Sequence, residues 1–190
     1  MNSARLISSL LTLAALLLGS APNASAAQPL APGAAAPAFT YHLLNGKHLS
    51  PSELRGHPYI LWMVASWCSS CQTGSAVVGD HIVFLNAHGV RVVEMRLAKD
   101  LGAPGPGLQQ FQKAVGMKAA SPNWYWGELS DAQTATLDPK GYPDVYYLVD
   151  ASGKIVAVDG NPTSTWDRIA TFATSAKASS TTSAATRHSS

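Results

Sequence analysis

Residues 59–65, Tyr-Ile-Leu-Trp-Met-Val-Ala, form an unbroken apolar run in a chain of 190 residues. A run this short, without polar alternation, reads as a strand buried on both faces, and such strands lie in sheets that helices cover on both sides. The chain is therefore expected to be α/β. Its surroundings extend that reading. Residues 39–44 and 47–49 flank Asn45-Gly46, a pair that supplies the positive φ angles of a tight hairpin turn. Ser50 and Pro51 suit the cap and first position of a helical turn that reaches Leu54. After Cys71, Val78, Ile82 and Leu85 recur at helical spacing until His88-Gly89, where glycine closes the helix. Residues 90–97 read as a second central strand and 107–115 as a helix. Residues 142–149 and 154–159 are strands joined by Asp150-Ala151-Ser152-Gly153, and 165–172 is a closing helix. The expected order is ββαβαββα.

The length allows one domain with short extensions. A formal net charge of +2 with no run of like charges excludes a clustered basic face, and with it nucleic acid as a partner. Residues 1–26 have the order of a secretory signal peptide: Arg5, an apolar run over 6–18, then Ala24-Ser25-Ala26. The apolar run is shorter than the ~20 residues a membrane-crossing helix needs. Residues 27–37 read as a Pro/Ala linker, 38–173 as the folded unit and 174–190 as a disordered Ser/Thr/Ala tail. A periplasmic or secreted location follows. Residues 98–140 form a long connection containing Pro104-Gly105-Pro106-Gly107 and Trp124-Tyr125-Trp126, and the aromatic triplet reads as packing that pins it.

Trp67-Cys68-Ser69-Ser70-Cys71 falls where the buried strand gives way to a helix. A thiol at a helix N-terminus faces unpaired N–H groups and the positive end of the dipole, which stabilise its thiolate. Cys68 is thus the candidate nucleophile. Cys71, one turn further in, can close a small-ring disulfide with it and suits the resolving role. Zinc would need more ligands than this pair, and none of His42, His48, His57, His81, His88 or His188 stands in a His-x3-5-His pair beside a second cysteine pair. A purely structural disulfide over so short a loop would stabilise little. An exported Cu(I) chaperone using both thiolates stays open as the alternative, with Met63 or His81 as candidate third ligands.

Ala36-Pro37-Ala38-Phe39, Leu44-Asn45-Gly46-Lys47, Leu54-Arg55-Gly56-His57-Pro58, the Trp-Cys-x-x-Cys segment, Gly141-Tyr142-Pro143 and Gly153-Lys154-Ile155-Val156 occur in one order. In that order they resemble the thioredoxin superfamily, and within it the exported TlpA-like, ResA-like and cytochrome-maturation thiol-disulfide oxidoreductases. The resemblance implies a thioredoxin-like fold, a central mixed β-sheet flanked by helices with an N-terminal β-hairpin. It implies catalytic Cys68 and Cys71, and a substrate-binding surface of Trp67, Tyr142 and a cis Pro143 lying against Cys68. Partners would be exported cysteine-containing proteins, with a membrane electron donor to restore the dithiol, and no dissociable cofactor. A reductase is favoured over an oxidase or isomerase that would use the same pair. The resemblance breaks at Trp62, where thioredoxin has a buried acid. Glu94, Lys99 and Asp100 are the nearest acid or base candidates in sequence, with Glu94 read as a solvated side chain paired to Arg91 or Arg96. The helix after Cys71 also lacks the proline that usually kinks it.

Overall fold

The computed structural model describes residues 30–187; the signal-peptide reading of residues 1–26 lies outside them. The hairpin forms from β1 (Tyr41–Leu43) and β2 (His48–Leu49), with Tyr41 opposite Leu49. The turn α1 (Pro51–Leu54) follows, its Glu53 carboxylate accepting from the Ser50 N–H at 2.8 Å and the Ser50 hydroxyl at 2.7 Å. Next come β3 (Tyr59–Val64), α2 (Ser69–Asp80), α3 (Ile82–Ala87), β4 (Arg91–Arg96), α4 (Leu108–Val115), β5 (Trp124–Glu128) and α5 (Asp131–Leu137). The chain ends in β6 (Val145–Val149), β7 (Ile155–Gly160) and α6 (Pro162–Arg187).

One seven-stranded mixed sheet has the order β2-β1-β5-β4-β3-β6-β7. The β3–β4 and β4–β5 pairs are parallel, while β6 runs antiparallel to β3. All six β3 residues are buried, as the apolar run requires. Alternation along the strands sorts the core into two layers. Ile60, Trp62, Val64, Val92, Trp124, Trp126, Tyr146 and Leu148 face the side of α2, α4 and α6. Tyr59, Leu61, Met63, Val93, Met95, Tyr147 and Val149 face the hairpin, α1 and α5. Both cysteines belong to the first layer.

Four readings are corrected. The supposed connection 98–140 contains another strand and helix, β5 and α5, with Trp124 and Trp126 buried in the sheet. The packing role of those tryptophans holds; three adjacent aromatics hide the period-2 signal because the intervening Tyr125 packs on the opposite layer. The helix after Cys71 breaks at His81 without any proline, giving α2 and α3. The linker is partly paired: Gly33 N donates to Ile155 O at 2.8 Å and Ala36 N to Gly153 O at 2.9 Å. Finally, α6 continues from Pro162 to Arg187, so residues 174–187 are helical rather than an irregular tail. Alanine favours helix, residues 163–187 contain no glycine or proline, and the Thr171 and Thr174 hydroxyls bond back to Asp167 O and Ala170 O at 2.8 and 2.9 Å.

Candidate functional site

Cys68 is the N-cap of α2, in extended backbone, and its Sγ accepts the Cys71 N–H at 3.2 Å. A sulfur in that position receives the stabilisation that helix N-termini offer to negative charge. Cys68 and Cys71 are disulfide-bonded, with their Cα atoms 5.2 Å apart. Cys68 retains 7% exposure and Cys71 none, so a partner sulfur can reach only the first. The Ser70 hydroxyl lies 3.3 Å from Cys68 Sγ. Trp67, expected on the substrate-binding surface, is 42% exposed, and its indole N–H donates to Asp100 O at 2.8 Å.

The acid absent from position 62 enters from β6. A carboxylate oxygen of Asp144 and the two sulfurs all lie within 4.8 Å of one another. Asp144 is 6% exposed and takes a φ of 78°. Its N–H donates to Met63 O at 2.8 Å, and its carbonyl accepts from Asn161 N at 2.9 Å, so the backbone is held on both sides. Trp62 Nε1 donates to Oδ1 at 3.1 Å. Oδ2 has no partner in hydrogen-bonding geometry, although the Ser70 hydroxyl is near enough to pull the pKa down. Burial outweighs that pull and raises Asp144 above the ordinary aspartate value. Trp62 reaches this place because α2 carries Gly74: a Cβ there would stand 2.9 Å from Trp62 Cη2 and Cζ2.

Glu94 is not solvated. It is fully buried on the α2 side of β4, accepting from Trp124 Nε1 at 3.0 Å, with the Ser75 hydroxyl 2.7 Å away. That hydroxyl is also 2.9 Å from Cys71 O. One hydroxyl proton cannot serve both acceptors, and a protonated Glu94 resolves this by donating to Ser75, which then donates to Cys71 O. In agreement, burial pushes the Glu94 carboxyl up to about 8.

Lys99 pairs with Asp131 at 2.7 Å in solvent, away from the sulfurs. Asp100 is structural: its carboxylate accepts from Ser66 N and Ser66 Oγ, each at 2.7 Å, and from Arg96 at 3.1 Å. It sits in a left-handed turn with Lys99 and Leu101, at φ 52°, 52° and 58°. Gly105 packs on the same segment, where a Cβ would overlap Ser66 Oγ and stand 3.1 Å from Trp67 N. Together these contacts fix the two residues before Cys68.

Pro143 departs from expectation, since no peptide bond among the described residues is cis. The chain reverses instead through left-handed Gly141 and Asp144, and the Tyr142 N–H, expected to meet substrate, is bonded to Asp138 Oδ1 at 3.0 Å. Tyr142 itself is 65% exposed. Pro143 is next in chain to Asp144, and the group of this loop that lies near the sulfurs is the Asp144 carboxylate. Asp144 was missed because the search for an acid followed β3 and β4. The signal was its place immediately after the motif proline, one residue before the strand that pairs with β3. The copper candidates are not brought together either: Met63 lies in the opposite core layer, and His81 stacks on Trp166 with ring centroids 4.0 Å apart.

No family model matches the chain, and no curated protein matches it significantly. Solved structures do. The thioredoxin domain of a thiol-disulfide oxidoreductase from Bacteroides vulgatus matches with TM-score 0.60 at 20% identity, over 76% of this chain and 99% of that one. A thiol:disulfide interchange protein, DsbE, from Chlorobium tepidum matches with TM-score 0.59 at 21% identity, over 78% and 99%. A secreted Mycobacterium tuberculosis disulfide oxidoreductase homologous to Escherichia coli DsbE matches with TM-score 0.56 at 19% identity, over 73% and 96%. No described helix is long and apolar enough to cross a membrane. Mixed sheet, flanking helices and a Cys-x-x-Cys pair capping the helix after the central strand therefore make this a thioredoxin-like fold.

Proposed function

We propose that the protein is an exported thiol-disulfide oxidoreductase that reduces disulfides of other exported proteins. The observation that carries this reading is the asymmetric pair: Cys68 at the helix N-cap and reachable, Cys71 buried behind it, and the Asp144 carboxylate beside both. Starting from the dithiol, the Cys68 thiolate attacks one sulfur of a partner disulfide, and the other partner sulfur leaves as a thiolate. Cys71 then attacks Cys68 Sγ, forming the intramolecular disulfide and releasing the second partner sulfur. Two electrons pass to the partner, whose thiolates take up two protons. Asp144 is the group placed to accept the Cys71 proton as that thiol becomes a nucleophile. Exposed Trp67 and Tyr142 supply apolar contact area for the partner segment. A membrane electron donor would restore the dithiol. Export rests on the character of residues 1–26.

An oxidase or isomerase would use the same atoms in other proportions, so the potential of the pair decides direction. Equilibration in dithiothreitol or glutathione buffers should give a value near about −270 mV for a reductase, and one near about −120 mV would turn the reading to a disulfide donor. Absence of any reversible transition would end both.

A further inference from the structure

The Asp144 carboxylate has a feature that proton transfer does not use. Asp144 is more than nine-tenths buried, its backbone is pinned by Met63 O and Asn161 N, and Trp62 occupies Oδ1, while Oδ2 has no hydrogen-bond partner. A buried acceptor without a partner is costly, and this carboxylate shares its surroundings with two sulfurs, one of its oxygens and both sulfurs lying within 4.8 Å of one another. Two thiolates and one carboxylate carry a charge of −3 and form three ligands of a tetrahedron. Tetrahedral Zn2+ with ordinary Zn–S and Zn–O bonds needs S···O separations of about 3.6 Å and an S···S separation of about 3.8 Å, so the ion enters only after reduction lets the two sulfurs part. Three protein ligands with a fourth exchangeable position is an arrangement zinc accepts. Cu(I) prefers soft sulfur and gains little from the carboxylate, so Asp144 biases the set toward Zn2+.

We propose that the dithiol form binds one Zn2+ through Cys68 Sγ, Cys71 Sγ and an Asp144 carboxylate oxygen, and that this ion and the disulfide exclude one another. Binding releases the two thiol protons to solvent. Once Zn2+ has left, oxidation by a partner disulfide moves two electrons to that partner and joins Cys68 to Cys71, and Zn2+ cannot return because disulfide sulfurs no longer offer thiolate ligands. Zinc thereby holds the pair reduced and silent until a competing ligand removes it. The zinc objection raised from sequence, too few ligands, is answered by a residue 73 positions beyond Cys71.

The test titrates the reduced full chain with Zn2+ against a chromogenic chelator under anaerobic conditions. One equivalent should bind; none should bind to the oxidised protein or to Cys68→Ser, and Asp144→Asn should weaken binding at least tenfold. Equal affinity in Asp144→Asn, or no binding by the wild type, overturns the proposal. A second measurement needs no variant: Zn2+ should slow iodoacetamide alkylation of Cys68 at least tenfold, with the rate restored by EDTA, and an unchanged rate overturns it equally. The redox transition measured in EDTA separates the two readings. An intact transition without zinc binding ends this inference alone, and a missing transition with zinc bound ends the exchange reading alone.

Discussion

Two buried carboxylates flank α2, and they have opposite fates. Glu94 lies behind the helix with both oxygens engaged, one by Trp124 and one by Ser75, in a network that closes when it is protonated. Asp144 lies at the helix start with one oxygen engaged and the other unpartnered beside the sulfurs. Burial raises the pKa of both. The difference lies in satisfaction: a buried polar group whose bonds are complete serves packing, while one left incomplete next to a reactive atom is available for chemistry. The same comparison separates Asp144 from Asp100, whose carboxylate is fully used in holding Ser66 and Arg96.

The largest effect tests the frame in which the comparison sits. Cys68→Ser should abolish exchange with a disulfide substrate, and Cys71→Ser should accumulate mixed disulfides through Cys68, read by non-reducing electrophoresis; a Cys71→Ser protein that traps nothing counts against Cys71 as the resolving thiol. Next, Asp144→Asn should slow resolution of a preformed mixed disulfide by about 100-fold near neutral pH, whereas Glu94→Gln should change it less than about threefold. Equal slowing in rapid-quench measurements would dissolve the distinction between the two acids. Asp100→Ala should cost about 2–3 kcal/mol in urea unfolding, because Ser66 N–H and Arg96 lose a buried acceptor; a loss below about 0.5 kcal/mol would deny it the structural role.

Glu94 sharpens the comparison through pH. In the folded protein it holds its proton up to about 8, while the unfolded chain releases it near the ordinary glutamate value of 4.5. Between those values the folded state binds more protons, so its contribution to stability is complete below 4.5 and is lost as pH rises toward 8. The slope cannot exceed about 1.4 kcal/mol per pH unit. Glu94→Gln, which reproduces the protonated network, should flatten it, and parallel stability curves for the two proteins would refute the assignment. The smallest effect is expected at Lys99→Ala: its pair with Asp131 is solvent-exposed and should contribute less than about 0.5 kcal/mol in the same unfolding measurement.

Much of the fold is written in local signals. The unbroken apolar run became the fully buried β3, the Asn45-Gly46 turn became the hairpin, and Pro51 began its helical turn. These succeed because strand burial, turn geometry and helix starts depend on neighbours in sequence. β5 was hidden because its alternation is masked by three consecutive aromatics, two on one layer and one on the other. The helix to Arg187 was hidden because small polar residues next to alanine read as disorder when no partner is in view. Glu94 was misplaced since a charged side chain reads as solvent-facing, whereas β4 is covered on both faces and either parity points into the core.

By itself, the sequence determined the Cys-x-x-Cys pair, which cysteine caps the helix and the strand-to-helix junction that holds it, because those follow from spacing over four residues and the polarity of one helix N-terminus. Only the tertiary structure decided which acid lies beside that pair. Trp62 fills the place of the missing carboxylate, Gly74 lets it fit, and β6, returning antiparallel to β3, carries Asp144 to the sulfurs from 73 residues beyond Cys71. A contact between residues so far apart in the chain is set by strand pairing, which no local pattern around either residue encodes.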